Sequence, residues 1–313
     1  MKERSLWRSP LLMAAGAILC CLLWGSAFPC IKIGYRLFGV AGDDAASQIL
    51  FAGVRFSLAG CMTLLAGSLI SRRALLPKKR SLLPVGLLAL FQTGIQYLLF
   101  YIGLAHTSGV NSSIITGANA FVTILVACFL FRCERFTPPK LIGCLLGFGG
   151  VLLLNLSGNA QWAFAFNGEG FVLLATLASA VASVLMKQYS QREDPVTLSG
   201  WQFLLGGLML AGAGAAFGGR LSPQGSAAWW LLLYLGFLSA AAFTLWGLLL
   251  KIHPVSAMSA YKCSIPLFGT LLSAWWLGES AALFRWQVPA ALALVVLGVW
   301  VINRAAPKAE ERP

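Results

Sequence analysis

Residues 52–62 read AGVRFSLAGCM, and residues 199–209 read SGWQFLLGGLM. Laid one under the other at an offset of 147, Gly53 meets Gly200, Phe56 meets Phe203, Leu58 meets Leu205, Gly60 meets Gly207 and Met62 meets Met209, with Arg55 opposite Gln202. Further along, FLFRCER (129–135) and AWWLGES (274–280) align at an offset of 145, which places Glu134 over Glu279 and Val110 over Val255. Lys32 and Lys187 take similar places near the ends of the first and sixth apolar segments. Matches in order at a nearly constant offset read as an internal repeat. They divide the chain into residues 1–156 and 157–313, with five apolar segments in each. An odd number of crossings turns the second copy over, and that inverted arrangement is common in secondary transporters.

The composition names the solvent. The 313 residues are 58% hydrophobic and 11% charged, with a mean hydropathy of +0.80. A soluble domain is about a quarter charged. Apolar stretches near 11–35, 46–70, 82–105, 109–131, 138–156, 169–189, 196–217, 227–250, 254–277 and 286–303 each approach the roughly 20 residues that cross a bilayer. The expectation is an all-α polytopic membrane protein of ten helices. On one side of the alternation fall the basic residues of the N-terminus, of 72–80, 132–140, 192 and 251, and of the C-terminus; on the other fall only Arg36, Arg220 and Arg285. By the positive-inside bias, both termini face the cytoplasm and the protein is a multi-pass protein of the cytoplasmic membrane. The net charge of +13 is therefore a topology signal with some attraction to anionic lipid, and not a nucleic-acid footprint. The N-terminus mimics a secretory signal, but the repeat needs it as a retained first helix.

LLWGSAFPCIKIG (22–34), VRFSLAG (54–60), GLAHTSGVNSSI (103–114), FLFRCER (129–135) and AWWLGES (274–280) resemble the motifs of the drug/metabolite transporter superfamily, EamA family. The resemblance covers nearly the whole chain. It implies ten helices in two inverted repeats, a central cavity, and movement of small metabolites, often export of amino acids or related compounds. It also implies that Arg55, Glu134 and Glu279 are recurrent family positions. One departure stands out. Where the family's fourth helix often has a proline, this chain has Asn119–Ala120–Phe121, whereas the ninth keeps Pro266. An asymmetric helix break is the expectation.

A charge near the bilayer centre costs roughly 2.5–3.5 kcal/mol on insertion scales and usually serves a purpose. Lys32, Arg55, Lys187 and Lys262 lie within spans. Lys187 is near a helix end and is read as snorkelling. Lys32 is near the outer end of a helix that Pro29 would open, freeing carbonyls for a cavity. Arg55 lies about nine residues, or roughly 13 Å, below the outer surface; helix C-terminal carbonyls would give it a structural role, a substrate the other. Lys262 is about eight residues deep with no carboxylate at its level, and is the first candidate to meet a substrate carboxylate or phosphate.

Polar residues form stripes. Ser112, Thr116, Asn119 and Thr123 share one face of the fourth helix, and Ser259, Lys262, Pro266 and Ser273 one face of the ninth. Gln92, Gln96, Tyr97 and Tyr101 cluster in the third, and Trp246 is the aromatic nearest mid-span in the eighth. The functional reading is a substrate cavity between helices three, four, eight and nine; the plain alternative is interhelical hydrogen bonding. Glu134 and Glu279 close helices at opposite faces, and are read as gating or structural groups paired with a base or with backbone amides. Gly143 and Gly147, spaced GxxxG, mark a helix contact or a homodimer face. The eight cysteines are read as packing residues. His106 and His253 fall at opposite faces, and no nucleophile–base grouping, phosphate loop or metal constellation occurs, so neither enzyme activity nor a cofactor is expected. The reading is a secondary transporter, an exporter of a small polar metabolite such as an amino acid or other carboxylate, working by alternating access. Carriage of phosphorylated or nucleotide-linked compounds is the alternative; a membrane enzyme or a non-transporting scaffold follows at a distance. With no carboxylate at mid-membrane, an Asp/Glu proton relay is not expected.

Overall fold

A computed structural model describes residues 9–107, 112, 115–155, 165–276 and 286–305. The protein is all-helical; among the described residues there is no strand. Among the described residues, seven helices are long and apolar enough to cross a membrane: α1 (Pro10–Leu37), α2 (Ala45–Ser71), α3 (Lys79–Ala105), α6 (Phe166–Tyr189), α7 (Pro195–Ala216), α8 (Gly225–Ile252) and α10 (Gln287–Arg304). Shorter apolar helices are α4 (Asn119–Leu130) and α5 (Pro138–Asn155). The segment 255–276, α9, is broken into Val255–Tyr261 and Ile265–Trp276. Leu69, Ile70, Leu83, Leu145, Trp229, Trp230 and Trp300 stand exposed on helix sides, an apolar surface suited to lipid. The chain is a multi-pass membrane protein.

The stretch 52–62 earns its two glycines from packing. α2 runs antiparallel along α7, and glycines line the seam. A Cβ on Gly53 would lie 2.2 Å from the Ala211 amide nitrogen, one on Gly60 2.4 Å from that of Leu204, one on Gly207 2.3 Å from that of Ser57, and one on Gly214 2.4 Å from that of Leu50. Backbone meets backbone, which only small residues allow. Both helices open on an aspartate cap: Asp44 accepts from the Ser47 amide at 3.0 Å, and Asp194 from the Thr197 amide at 3.0 Å. A second antiparallel seam joins α5 to α10. There a Cβ on Gly143 would reach 2.7 Å from the Gly298 carbonyl, and one on Gly298 would reach 2.9 Å from the Gly147 amide. The GxxxG pair is thus a helix contact inside the molecule, the first of its two readings.

Two faces cap the bundle. At the basic face the Trp201 indole donates to the Leu75 carbonyl at 2.7 Å, and Arg80 meets Glu193 at 2.8 Å. At the opposite face Ser222 and Gln224 amides bond to the Phe38 and Leu37 carbonyls, and Gly168 packs against His106.

The irregular helices are the ones between the seams. Pro29 does not open α1, which continues unbroken to Leu37. Its lost amide is tolerated where Gly25 presses against Phe268, with room for no Cβ (2.5 Å). In α9 the Pro266 nitrogen cannot donate to the Lys262 carbonyl. The Ile265 amide takes that carbonyl instead, and 262–264 tighten into a 3₁₀ turn. The expected asymmetry does not hold. α4 is also irregular, without a proline: Ala118 forms a turn with its amide on the Ile115 carbonyl at 3.1 Å, and Val126–Leu130 is a π turn. α3 carries another π segment over Ala89–Ile95, around Gln92. Such π turns cluster at functional sites.

Candidate functional site

A cavity of about 270 Å³ is lined by residues from the middle of the helices toward their ends opposite the basic face. Arg55, Gln92, Gln96, Tyr97, Asn119, Trp246 and Lys262, the candidates singled out by the sequence, all line it, as does Pro266. Pro29 does not. Glu279 lies outside the described residues. The wall is wider than the sequence suggested: α1, α2 and α6 join α3, α4, α8 and α9. From α6 come Thr176, Ser179 and Ser183, spaced along one helical face. That stripe was as visible in the sequence as the one in α4. It went unread because its residues are small and the segment is otherwise apolar.

Lys262 sits on the 3₁₀ turn. Its Nζ donates to Asn119 Oδ1 and to Ser183 Oγ, each at 3.1 Å, and stands 5.6 Å from the centre of the Trp246 ring. Trp24 packs edge-on against Trp246 and Phe243 at 5.1 and 4.9 Å. No aspartate or glutamate is among the described lining residues. Of the other stripe residues, Thr123 is buried and bonded to the Asn119 carbonyl at 2.7 Å; Ser259 is buried away from the cavity; the Ser273 side chain lies outside the described residues.

Arg55 is buried, its guanidinium 4.3 Å from the centre of the Phe56 ring, which in turn packs on the Tyr97 ring at 4.5 Å. Aromatic groups thus take the place of the helix-end carbonyls suggested by the sequence. Four buried polar atoms of lining residues have no protein partner: Trp24 Nε1, Arg55 Nε, Gln92 Oε1 and Gln96 Oε1. Two are donors and two acceptors. Buried polar groups are nearly always satisfied, so this wall is built to meet water or a polar ligand.

Toward the basic face, polar clamps hold the turn between α8 and α9. Lys187 Nζ donates to the carbonyls of Lys251 (3.3 Å) and His253 (2.9 Å), and Gln191 to that of Lys251 (2.8 Å). Lys187 therefore does not snorkel; it caps the C-terminus of α8, where a cation is favoured. On the other side of the turn Glu134 pairs with Lys140 at 2.8 Å, accepts from the Ser256 amide at 3.2 Å, and accepts a short hydrogen bond from the Ser256 hydroxyl. The carboxylate thus sits at the N-terminus of the first piece of α9. Burial pushes its pKa up, but Lys140 and Ser256 outweigh burial and hold it below the ordinary glutamate value. At the opposite face Glu169 is buried in a π turn and accepts from the Ala165 amide at 2.9 Å and from the Thr107 hydroxyl.

The profile of the EamA-like transporter family matches residues 11–156 and again 166–304. The chain belongs to that family. Among its relatives, a transporter of uncharacterized function from Archaeoglobus fulgidus is 28% identical over 287 residues, covering 90% of this chain and 95% of that protein. A probable terminal-alkyne amino-acid exporter from Streptantibioticus cattleyicolor is 28% identical over 295 residues, covering 92% of each. One solved crystal structure superposes with a TM-score of 0.77 at 20% identity, over 95% of this chain and 98% of that one; that likeness concerns the fold. As an EamA-family member the chain is a membrane transporter of small molecules.

Proposed function

We propose that the protein is a carrier, not an enzyme, that exports a small carboxylate-bearing metabolite such as an amino acid across the cytoplasmic membrane by alternating access. The observation that carries the reading is Lys262: a cation on a broken helix, lining a cavity with no carboxylate among its described lining residues to neutralise it. A substrate carboxylate completes it. Arg55, Gln92, Gln96, Tyr97, Asn119 and Trp246 form the rest of the binding wall. The relative described as an amino-acid exporter agrees with this substrate class.

Alternating access rests on ten helices in two inverted halves, 1–156 and 157–313, with both termini cytoplasmic. The α2–α7 seam supports that arrangement. Gly53 packs on Ala211 and Gly200 on Leu64; Gly60 packs on Leu204 and Gly207 on Ser57. Adding 147 to the α2 member of one contact and subtracting it from the α7 member returns the other contact of the pair with its partners exchanged, as a two-fold interface requires. In this orientation the cavity faces outward, and Glu134 and Lys187 close the cytoplasmic gate. Glu279 is assigned the matching role at the outer gate from its place in the repeat alone.

A thermal-shift screen of the purified protein against anionic, zwitterionic and cationic metabolites tests the reading. A ligand at 100 times its Kd adds about 2.7 kcal/mol of stability. Carboxylates should raise the midpoint of wild type and leave Lys262→Met unmoved. Equal responses from both proteins would remove Lys262 from the site.

A further inference from the structure

Lys262 is held in a particular way. An ammonium has three N–H donors, and two are taken by neutral oxygens from two different helices, Asn119 Oδ1 on α4 and Ser183 Oγ on α6. Both acceptors are themselves oriented by the α6 backbone. Asn119 Nδ2 donates to the Thr176 carbonyl at 3.4 Å, which turns its amide oxygen toward Lys262. The Ser183 hydroxyl donates to the Ser179 carbonyl at 3.0 Å, which leaves its lone pairs for the lysine. Each oxygen is therefore presented as an acceptor, and neither brings a charge. An aspartate at 119 would have nearly the same shape and would hold the ammonium more strongly. It would also spend the positive charge.

We propose that Asn119 and Ser183 are specificity-determining positioning residues: they fix the Lys262 ammonium with neutral acceptors so that its charge is left for the carboxylate of the substrate. The inference rests on the reading of this cavity as the substrate site, and goes beyond it by assigning the cavity's selectivity to groups that act through the lysine. Neutrality at 119 and 183 makes the cavity distinguish an amino acid from its amide, which keeps the ammonium but lacks the carboxylate charge. The only other charged side chain on the described wall is also a cation, Arg55, so no group there reverses that preference.

The test measures a ratio. Binding of matched amino acids and their C-terminal amides, leucine with leucinamide and phenylalanine with phenylalaninamide, is followed by calorimetry on purified wild type, Asn119→Asp, Ser183→Ala and Ser183→Thr. Wild type should favour the acid by at least about tenfold, the worth of one hydrogen bond to a charged group. Asn119→Asp should bring the ratio to about one or invert it, because the lysine now has an internal counter-ion. Its ligand-free melting point should stay level or rise. Ser183→Ala should shrink the ratio and Ser183→Thr restore it. A merely structural role would weaken acid and amide together and leave the ratio alone. If Asn119→Asp and Ser183→Ala both keep the wild-type ratio, the proposal is wrong while the substrate site stands. If wild type itself favours no acid over its amide, the carboxylate reading fails first and takes this one with it. Should Asn119→Asp not fold, the two Ser183 variants decide the matter on the same ratio.

Discussion

The α2–α7 seam and the cavity wall lie side by side in the same bundle and obey opposite rules. Along the seam, backbone touches backbone over Gly53, Gly60, Gly207 and Gly214 and the helices are regular, although four buried polar atoms of Ser57, Ser199 and Gln202 are without a protein partner, as many as on the cavity wall. Around the cavity the helices are turned at Ala118, tightened at Lys262 and widened at Ala89–Ile95, and several polar atoms wait for partners. Close packing tolerates no intermediate geometry, so a seam of that kind moves as a unit or not at all. Broken helices supply the alternatives. The comparison assigns rigidity to one region and rearrangement to the other.

Overfilling the seam should break that contrast most severely. Gly60→Val drives side-chain atoms into the α7 backbone and should cost roughly 3 kcal/mol, the upper end for overpacking, read as loss of folded protein in a detergent-melting assay. Gly212→Ala on the same α7, with nothing within 4 Å of its Cβ, should be neutral or stabilise by about 0.5–1 kcal/mol. On the cavity wall the sign of the stability effect reverses. Lys262→Met should remove about 2 kcal/mol or more of carboxylate affinity by titration calorimetry. Its ligand-free melting point should hold or rise, because an unneutralised cation is lost.

The gate should respond between these extremes. Glu134→Gln should cost about 1–3 kcal/mol of stability at neutral pH and expose Ser183→Cys to a thiol reagent added from the cytoplasmic side. The folded pKa of Glu134 is lowered, so its contribution is full above the ordinary glutamate pKa and is lost as pH falls through its own lower value. A melting-point profile against pH should therefore lose part of its acid-side slope in Glu134→Gln. The smallest effect belongs to Gln96→Leu, which removes an unpaired buried acceptor and should change stability by less than about 1 kcal/mol while weakening any polar ligand that calorimetry detects.

The sequence carried much of this. Glycine and aromatic spacing aligned the two seam helices with each other before any coordinate, because a repeat leaves the same packing demands at a fixed offset; that they pack on one another had no mark in the sequence. Lys262, Asn119 and the α3 glutamines were legible because a polar group in a lipid-facing segment is costly and therefore conspicuous. Less visible was whatever depends on a partner distant in sequence. Nothing near Lys187 announces that it caps α8, and GxxxG at 143–147 reads alike whether its partner is α10 or a second chain. The break in α4 escaped for another reason: without proline, a turn at Ala118 is set by packing and has no local mark.

The lone charges on the cavity wall also place the protein in an electrical field. Moving one elementary charge through a membrane potential is worth about 2.3 kcal/mol per 100 mV. In the proposed orientation, a monoanion bound at Lys262 neutralises one charge of the wall, so the loaded carrier feels the potential less than the empty one. A potential negative on the cytoplasmic side draws the vacated, more cationic wall back toward the cytoplasm. For a monoanionic substrate, the return half of the proposed export cycle then runs downhill in voltage.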